Sequence, residues 1–386
     1  MKAEIEKAFV GAFGREPGFI SVEAPGRANL IGEHVDYQGG HVMPMAIDRF
    51  MYASGRKTRK KNIRILACNY KEFLEIPLEN IACQKSKTWA NYLLGVIEEF
   101  RKSGYMKCGV EIAFGGNIPA GSGLSSSAAL EIATASLLQE LFDAPLPQIE
   151  TIKLARRAEN EFAGVNCGIM DQFSTYLGKR GHAIMINCKT LDYRYVPLYM
   201  EGNAFILANT LKERKLSASA YNERVASAAK VLEAVKKTEK AEFLADLSFS
   251  SLKRYEKKIS RKDFRRARHI VEENKRVIKA SRLLPEKKMD EFGRLMYQSH
   301  KSLKELYEVS CSELDFIVDF AKKFEGVKGA RLTGAGMGGC CIILIEKAFA
   351  ERFENGLGSA YKKSFGTIPA FYPVKPVNGA FYRNSG

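Results

Sequence analysis

The spacing of apolar positions changes character along this chain, and the change divides it. FISVEAPG (19–26) and NIRILACN (62–69) read as strands, the first running into a turn. WANYLLGVIEEFRKSG (89–104) repeats its apolar residues at helical intervals and closes on Gly104. CGVEIAFGGNIP (108–119) then reads as a strand entering a glycine-rich loop. Farther on, long charged helical stretches take over, near 216–239, 261–283 and 288–308. KGARLTGAGMGGCCIILIE (328–346) reads as a glycine-rich turn feeding a buried strand, and AFYPVKPVNGAFY (370–382) as a late strand. The texture shifts between 180 and 205, so two lobes are expected, 1–195 and 196–386, in an α+β or mixed α/β chain.

The 386 residues are 46% hydrophobic and 27% charged, a balance that supports a sizeable core. MKAEIEKAFVGAFGREPG at the N-terminus lacks the continuous apolar stretch of a secretory signal. No run approaches the roughly 20 apolar residues of a membrane span, so a cytoplasmic protein without membrane attachment is expected. The eight cysteines show no CxxC pair and no Cys/His zinc spacing, which predicts reduced thiols packed as small hydrophobes. A net charge of +16 invites a nucleic-acid reading. The densest basic runs, RKTRKKNIR (56–64) and KRYEKKISRKDFRRARH (253–269), carry neither a nucleic-acid motif nor an array of stacking aromatics. They read as solvated faces that also steer anionic ATP, with no nucleic-acid partner.

Three segments carry candidate chemistry. In NIPAGSGLSSSAALEIATASLLQEL (117–141), Pro119, Gly121 and Gly123 permit a tight loop. Ser125, Ser126 and Ser127 then open a helix whose Leu130, Ala133, Leu137, Leu138 and Leu141 share one face. Such a helix start offers free N–H groups and the positive dipole end to a phosphate; the alternative is a serine-capped core helix, for which one serine would suffice. Neither a Walker A sequence nor the protein-kinase HRD and DFG signatures are present. In PQIETIKLARRAENEFAGVNCGIMDQFSTYLG (147–178), Glu159 stands on or beside the stripe Ile152, Ala155, Ala158 and Phe162. A carboxylate there needs a cation, either Arg156 or another arginine, or Mg²⁺ shared with a loop serine. Asp171, amid Ile169, Met170 and Phe173, reads as a first-turn helix residue or as a general base in a partly dry site. APGRANLIGEHVDYQGGHVMPMAID (24–48) crowds Arg27, Asn29, Glu33, His34, Asp36 and Tyr37 into one loop bounded by glycines. That density of donors and acceptors suits the reading of sugar hydroxyls; a solvent-exposed loop with a satisfied histidine is the alternative.

Together these stretches resemble the GHMP small-molecule kinase family, and its galactokinase branch in particular. GRANLIGEHVDY (26–37) resembles the galactokinase signature at the sugar site, NIPAGSGLSSSAALE (117–131) the phosphate-binding loop, and RLTGAGMGGCCIIL (331–344) the third, C-terminal glycine-rich motif. Weaker similarity follows in family order at WANYLLGVI (89–97), AGVNCGIMDQF (163–173), RARHIVEENKRV (266–277) and the pair Ser299 and His300. The resemblance implies an N-terminal lobe similar to ribosomal protein S5 domain 2, a ferredoxin-like C-terminal lobe, and a site between them. It implies phosphorylation of the C1 hydroxyl of α-D-galactose by ATP with Mg²⁺; a monomer or weak oligomer is expected. By position, Asp171 would be the catalytic base, and Arg27 would pair with it and stabilise charge on the transferring phosphoryl group. Glu33, His34, Val35, Asp36, Gly168 and Tyr221 would meet the sugar. Gly121, Ser122, Gly123, Leu124, Ser125, Ser126 and Ser127 would cradle ATP, while Ser127 and Glu159 would hold Mg²⁺. A sister kinase for N-acetylgalactosamine, galacturonate or arabinose is one alternative, and a non-catalytic sugar and ATP sensor is another. SASAYNERVASA (217–228) departs from the family's usual SEYNxRRxxC at Ala220, Val225 and Ala228, on the sugar side of the expected cleft.

Overall fold

Five strands of the first half assemble into one mixed sheet. The computed structural model describes residues 1–15, 18–212 and 217–381, with backbone alone over 217–220. In it β1 (Ile20–Asn29), β2 (His41–Val42), β3 (Pro44–Thr58), β4 (Asn62–Ala67), β5 (Glu72–Pro77) and β6 (Gly109–Gly116) follow in chain order. The main sheet runs β1-β3-β6-β4-β5, antiparallel except where β4 and β6 lie parallel. Every residue of β6 is buried, because helices cover both faces. On one side the helix Lys2–Phe13 sets Ile5, Phe9 and Phe13 against Ala113. On the other, the helix Ser126–Phe142 packs over β1 and β3, beside the helix Ala90–Lys102. The periodicity of 117–141 had pointed to a single apolar face. The helix is instead enclosed almost all round, taking Glu131, Thr134 and Ser136 into the interior with its leucines and alanines.

A second, small sheet, β2-β7-β8, adds β7 (His182–Asn187) and β8 (Tyr193–Pro197). Sequence patterning did not anticipate it, since β2 has two residues and owes its pairing to tertiary contact. The third sheet is antiparallel, in the order β10-β11-β9-β12, with β9 (Asn203–Asn209), β10 (Val327–Thr333), β11 (Cys340–Glu346) and β12 (Ala370–Val374). The glycine-rich turn of 328–346 therefore joins two strands; β10, whose residues from Gly329 to Thr333 are all buried, went unread. Past β12 the chain returns to the first half, where Val377 N–H meets the Ala46 carbonyl at 3.0 Å and Gly379 N–H the Gly178 carbonyl at 2.7 Å.

Two features position the site. The pairing of β1 with β3 slips between Pro25 and Arg27, whose partners are Phe50 and Ala46. This bulge bends the end of β1 and re-aims the residues that follow. The second feature is the buried face of β10 against β1: Arg331, wholly buried, donates from Nη1 to the Asn29 carbonyl at 3.0 Å. Thr333 Oγ1 accepts from Asn29 N–H at 3.0 Å and donates to its carbonyl at 3.1 Å. The third glycine-rich motif is thus stitched to the first.

Candidate active site

Arg27 leaves the bulge pointing at Asp171. Its Nε donates to Oδ1 at 2.8 Å and Nη2 to Oδ2 at 2.9 Å, a two-pronged ion pair between residues 144 apart in the chain. Nη1 donates to the Gly123 carbonyl at 2.7 Å, which ties the same guanidinium to the glycine-serine loop. The loop approaches β1 closely: Arg27 N–H meets the Leu124 carbonyl at 3.2 Å, and a Cβ at Gly26 would stand 2.7 Å from that oxygen, so only glycine fits. Ser125 takes a left-handed backbone (φ 59°), and its hydroxyl donates to Asp171 Oδ2. Strain of this kind survives where the surroundings over-determine it, as at functional sites. Asp171 lies in the first turn of the helix Met170–Leu177, as one sequence reading had it, and its side chain also lines the cavity.

The sugar-type loop closes the opposite wall. Glu33 Oε1 accepts from Gly334 N–H at 2.7 Å and lies 3.4 Å from Arg331 Nη1, while Asn29 Nδ2 donates to Oε2. Burial raises the Glu33 pKa, with Arg331 and Arg27 opposing that rise. His34 also has a left-handed backbone (φ 61°). Its Nε2 faces the Ala335 carbonyl at 3.1 Å, so Nε2 carries the proton and Nδ1 accepts from the Tyr37 hydroxyl at 3.1 Å. Burial, then His269 and two arginines, depress the His34 pKa to about 3, keeping the ring neutral. Asp36 is pushed up to about 7, by burial first and then by Asp171 and Glu33. A Cβ at Gly168 would collide with the Asp36 carboxylate, so glycine there lets the acid reach the cavity. The Tyr221 ring lies 5.5 Å from that of His34, tilted against it, and 5.7 Å from that of Tyr37, edge to face.

These groups enclose a cavity of about 320 Å³. Arg27, Glu33, His34, Asp36, Gly168, Asp171 and Tyr221 line it with Gly121, Gly123, Ser125, Ser126, Ser127 and Glu159. Three expected residues do not. Val35 packs into the core against Gly40, Leu124 is buried in the same core, and Ser122 turns its hydroxyl to the Pro119 carbonyl at 2.6 Å. Their place in a motif says nothing about which way their side chains point. Of the departures noted at 217–228, the Ala220 side chain lies outside the described residues, Val225 is half-buried and Ala228 is buried.

Family models match three stretches: the galactokinase galactose-binding signature over 7–57, the GHMP kinases N terminal domain over 91–179 and the GHMP kinases C terminal domain over 280–363. Galactokinase of Bacillus subtilis (strain 168) is 42% identical over 98% of both chains. Galactokinase of Clostridium tetani is 42% identical over 98% of this chain and 97% of its own. The chain belongs to the galactokinase family. The crystal structure of Lactococcus lactis galactokinase complexed with galactose matches at a TM-score of 0.94 and 35% identity, over 98% of each chain. Methanococcus jannaschii mevalonate kinase, 23% identical with a TM-score of 0.70 over 94% of this chain and 100% of its own, shares the fold. The three sheets and their helices form the GHMP kinase fold, with its N- and C-terminal domains.

Beside the loop of this galactokinase-family site lies a buried group of acids. Glu159 sits in a π-helical turn, Ala158–Ala163, a kind of irregularity frequent at functional sites. Its Oε2 accepts from Gln172 Nε2 at 2.6 Å and from the Cys167 thiol at 3.0 Å, and the Ser127 hydroxyl also bonds to it. Burial raises its pKa, Asp171 adds to the rise, and the bonds from Cys167, Ser127 and Gln172 offset part of it. Arg156, the alternative cation, turns to the Cys167 carbonyl instead (Nε, 3.3 Å).

Several working groups went unread in sequence. His269, from the helix Arg261–Leu283, faces the Glu33 carbonyl at 3.1 Å. Glu273 from the same helix accepts from Gly32 N–H at 2.9 Å and the Ser299 hydroxyl at 2.6 Å. Burial alone would raise the Glu273 pKa, but Arg276 and then His269 and Arg331 hold it at about 2. The weak similarity at 266–277 and Ser299 marked these positions without a role. Glu131 and Gln172 had one legible signal: a carboxylate set among Leu130, Ile132 and Ala133 has to be explained.

Proposed function

We propose that the enzyme transfers the γ-phosphate of ATP to the C1 hydroxyl of α-D-galactose, giving galactose 1-phosphate and ADP, with Asp171 as base. The observation that carries this reading is the Arg27–Asp171 fork, set in one cavity between the sugar-type loop and the glycine-serine loop. Galactose in the Lactococcus lactis relative supports the choice of sugar. Asp171 Oδ2 already accepts from Arg27 and Ser125, whereas Oδ1 accepts from Arg27 Nε alone. Oδ1 therefore keeps a lone pair for the sugar proton. As the C1 oxygen forms its bond to the γ-phosphorus, the bond to the leaving ADP oxygen breaks and the hydroxyl proton passes to Asp171. Arg27 stays beside the charge that develops, and the loop amides at Gly121–Ser127 hold the triphosphate in line.

Mg²⁺ fits beside this loop. Glu159 is a buried carboxylate with no lysine or arginine ion pair among the described residues, and the Ser127 hydroxyl lies against it. Among the described residues no group of three or more His, Cys, Asp or Glu is arranged around a metal. A cation that keeps few protein oxygens and takes the rest of its ligands from phosphate and water suits that arrangement. Held by Ser127 and Glu159, Mg²⁺ would neutralise phosphate charge. A cytoplasmic address accords with eight free cysteines.

The test is ADP release across a sugar panel: galactose, glucose, N-acetylgalactosamine, galacturonate and arabinose. Galactose should be turned over best, and Asp171→Asn should abolish turnover while retaining nucleotide. Galactose no better than glucose or a sugar-free control would refute the assignment.

A further inference from the structure

Glu131 is the least expected residue of its helix. It is wholly buried between Leu130 and Ile132, and the charged groups that act on it are the carboxylates Glu159 and Asp171. Its Oε2 accepts from Gln172 Nε2 at 2.9 Å, and Oε1 has no protein partner. The same Gln172 nitrogen donates to Glu159 Oε2 at 2.6 Å. One carboxamide thus joins three elements: the helix behind the phosphate loop, the π turn of Glu159, and its own helix Met170–Leu177, in which Asp171 is the residue before it. An amide NH₂ has two protons in a fixed plane, so two acceptors set its orientation. Gln172 and Cys167 both donate to Glu159 Oε2, so that oxygen is held from the protein side while the carboxylate borders the cavity. Without Glu131 one Gln172 proton would lack an acceptor. The amide plane would then be held by the Glu159 bond alone and could swing about it, carrying the carboxylate with it.

We propose that Glu131 is a positioning residue for the cation site, orienting the Glu159 carboxylate through Gln172. This rests on the reading of Glu159 as a Mg²⁺ ligand. The experiment measures, on the full-length enzyme, the affinity of a non-hydrolysable ATP analogue by calorimetry in EDTA and in Mg²⁺. For Glu131→Leu the tightening produced by Mg²⁺ should shrink roughly tenfold, the scale of outer-shell effects on metal affinity, while the metal-free affinity stays within about twofold. Glu131→Gln, which still offers an oxygen to Gln172, should restore most of the tightening. An unchanged Mg²⁺ effect in Glu131→Leu, or an equal loss with and without metal, would overturn the proposal. Glu159→Gln separates the two ideas. If it keeps the full Mg²⁺ effect, Glu159 is not a ligand and both readings fall; if it loses the effect while Glu131→Leu keeps it, only the role of Glu131 falls. Should Glu131→Leu not fold, Gln172→Met is measured in the same way, with the same selective loss expected.

Discussion

Replacing Arg27 by lysine keeps the charge and removes the geometry. Arg27 uses Nε and Nη2 on Asp171 at 2.8 and 2.9 Å and Nη1 on the Gly123 carbonyl at 2.7 Å. An ammonium can reach one of these three acceptors but cannot span the fork, so two bonds are lost. Hydrogen bonds to charged groups contribute about 1.5–3 kcal/mol each. The Asp171 side chain is 26% exposed, so water replaces part of what is lost, and the lower figure is appropriate. Two bonds at that value sum to about 3 kcal/mol. If Arg27 stabilises the charge that develops during transfer, as proposed, the loss should fall on kcat. At about 1.4 kcal/mol per decade it corresponds to a drop of roughly a hundredfold, with the KM for galactose within about threefold of the parent. The assay is coupled ADP release at saturating ATP, with thermal unfolding as a control for folding. In a cycle with Asp171→Asn the two changes should be strongly non-additive, since Arg27 acts on the same carboxylate. A kcat near the parent value, or a loss borne wholly by KM, would refute the reasoning.

Asp36 and Arg331 give two further tests. Burial lifts the Asp36 pKa to about 7, so its contribution to stability is complete below about pH 4 and declines as the pH rises through 7. If the ionised form accepts galactose hydroxyls, kcat/KM should climb through an inflection near pH 7, and Asp36→Asn should lose that limb; an unchanged limb would assign it to another group. Arg331→Met leaves Glu33 buried without its nearest cation, a change that typically costs about 3–5 kcal/mol. Arg331 Nε and Nη2 lack protein partners, which puts the expected loss at the low end, about 3 kcal/mol. Denaturant unfolding should show the loss, and adding Glu33→Gln should recover part of it; no recovery would mean that the pair is not the cause.

Much of the site was legible because its loops are built from contiguous residues. Glycines before a run of serines dictate a tight turn into a helix, and a crowd of polar groups between Gly26 and Tyr37 demands an explanation wherever it folds. The left-handed turns at Ser125 and His34 were not foreseen, nor were the inward aim of Arg331 and the turn of the Ser122 hydroxyl to the Pro119 carbonyl, away from the cavity.

What the sequence determined alone was residue chemistry and local form: which acids, which loops, which helices, and from their order the family. Tertiary structure decided partnership. Arg27 meets Asp171 across 144 positions, Glu33 meets Gly334 across 301, and Glu131 reaches Glu159 through a glutamine 41 residues away. Backbone propensity acts over a few neighbours, whereas the partner of a buried charge is chosen by how whole sheets and helices pack. Only the folded chain brings those distant groups within hydrogen-bonding reach.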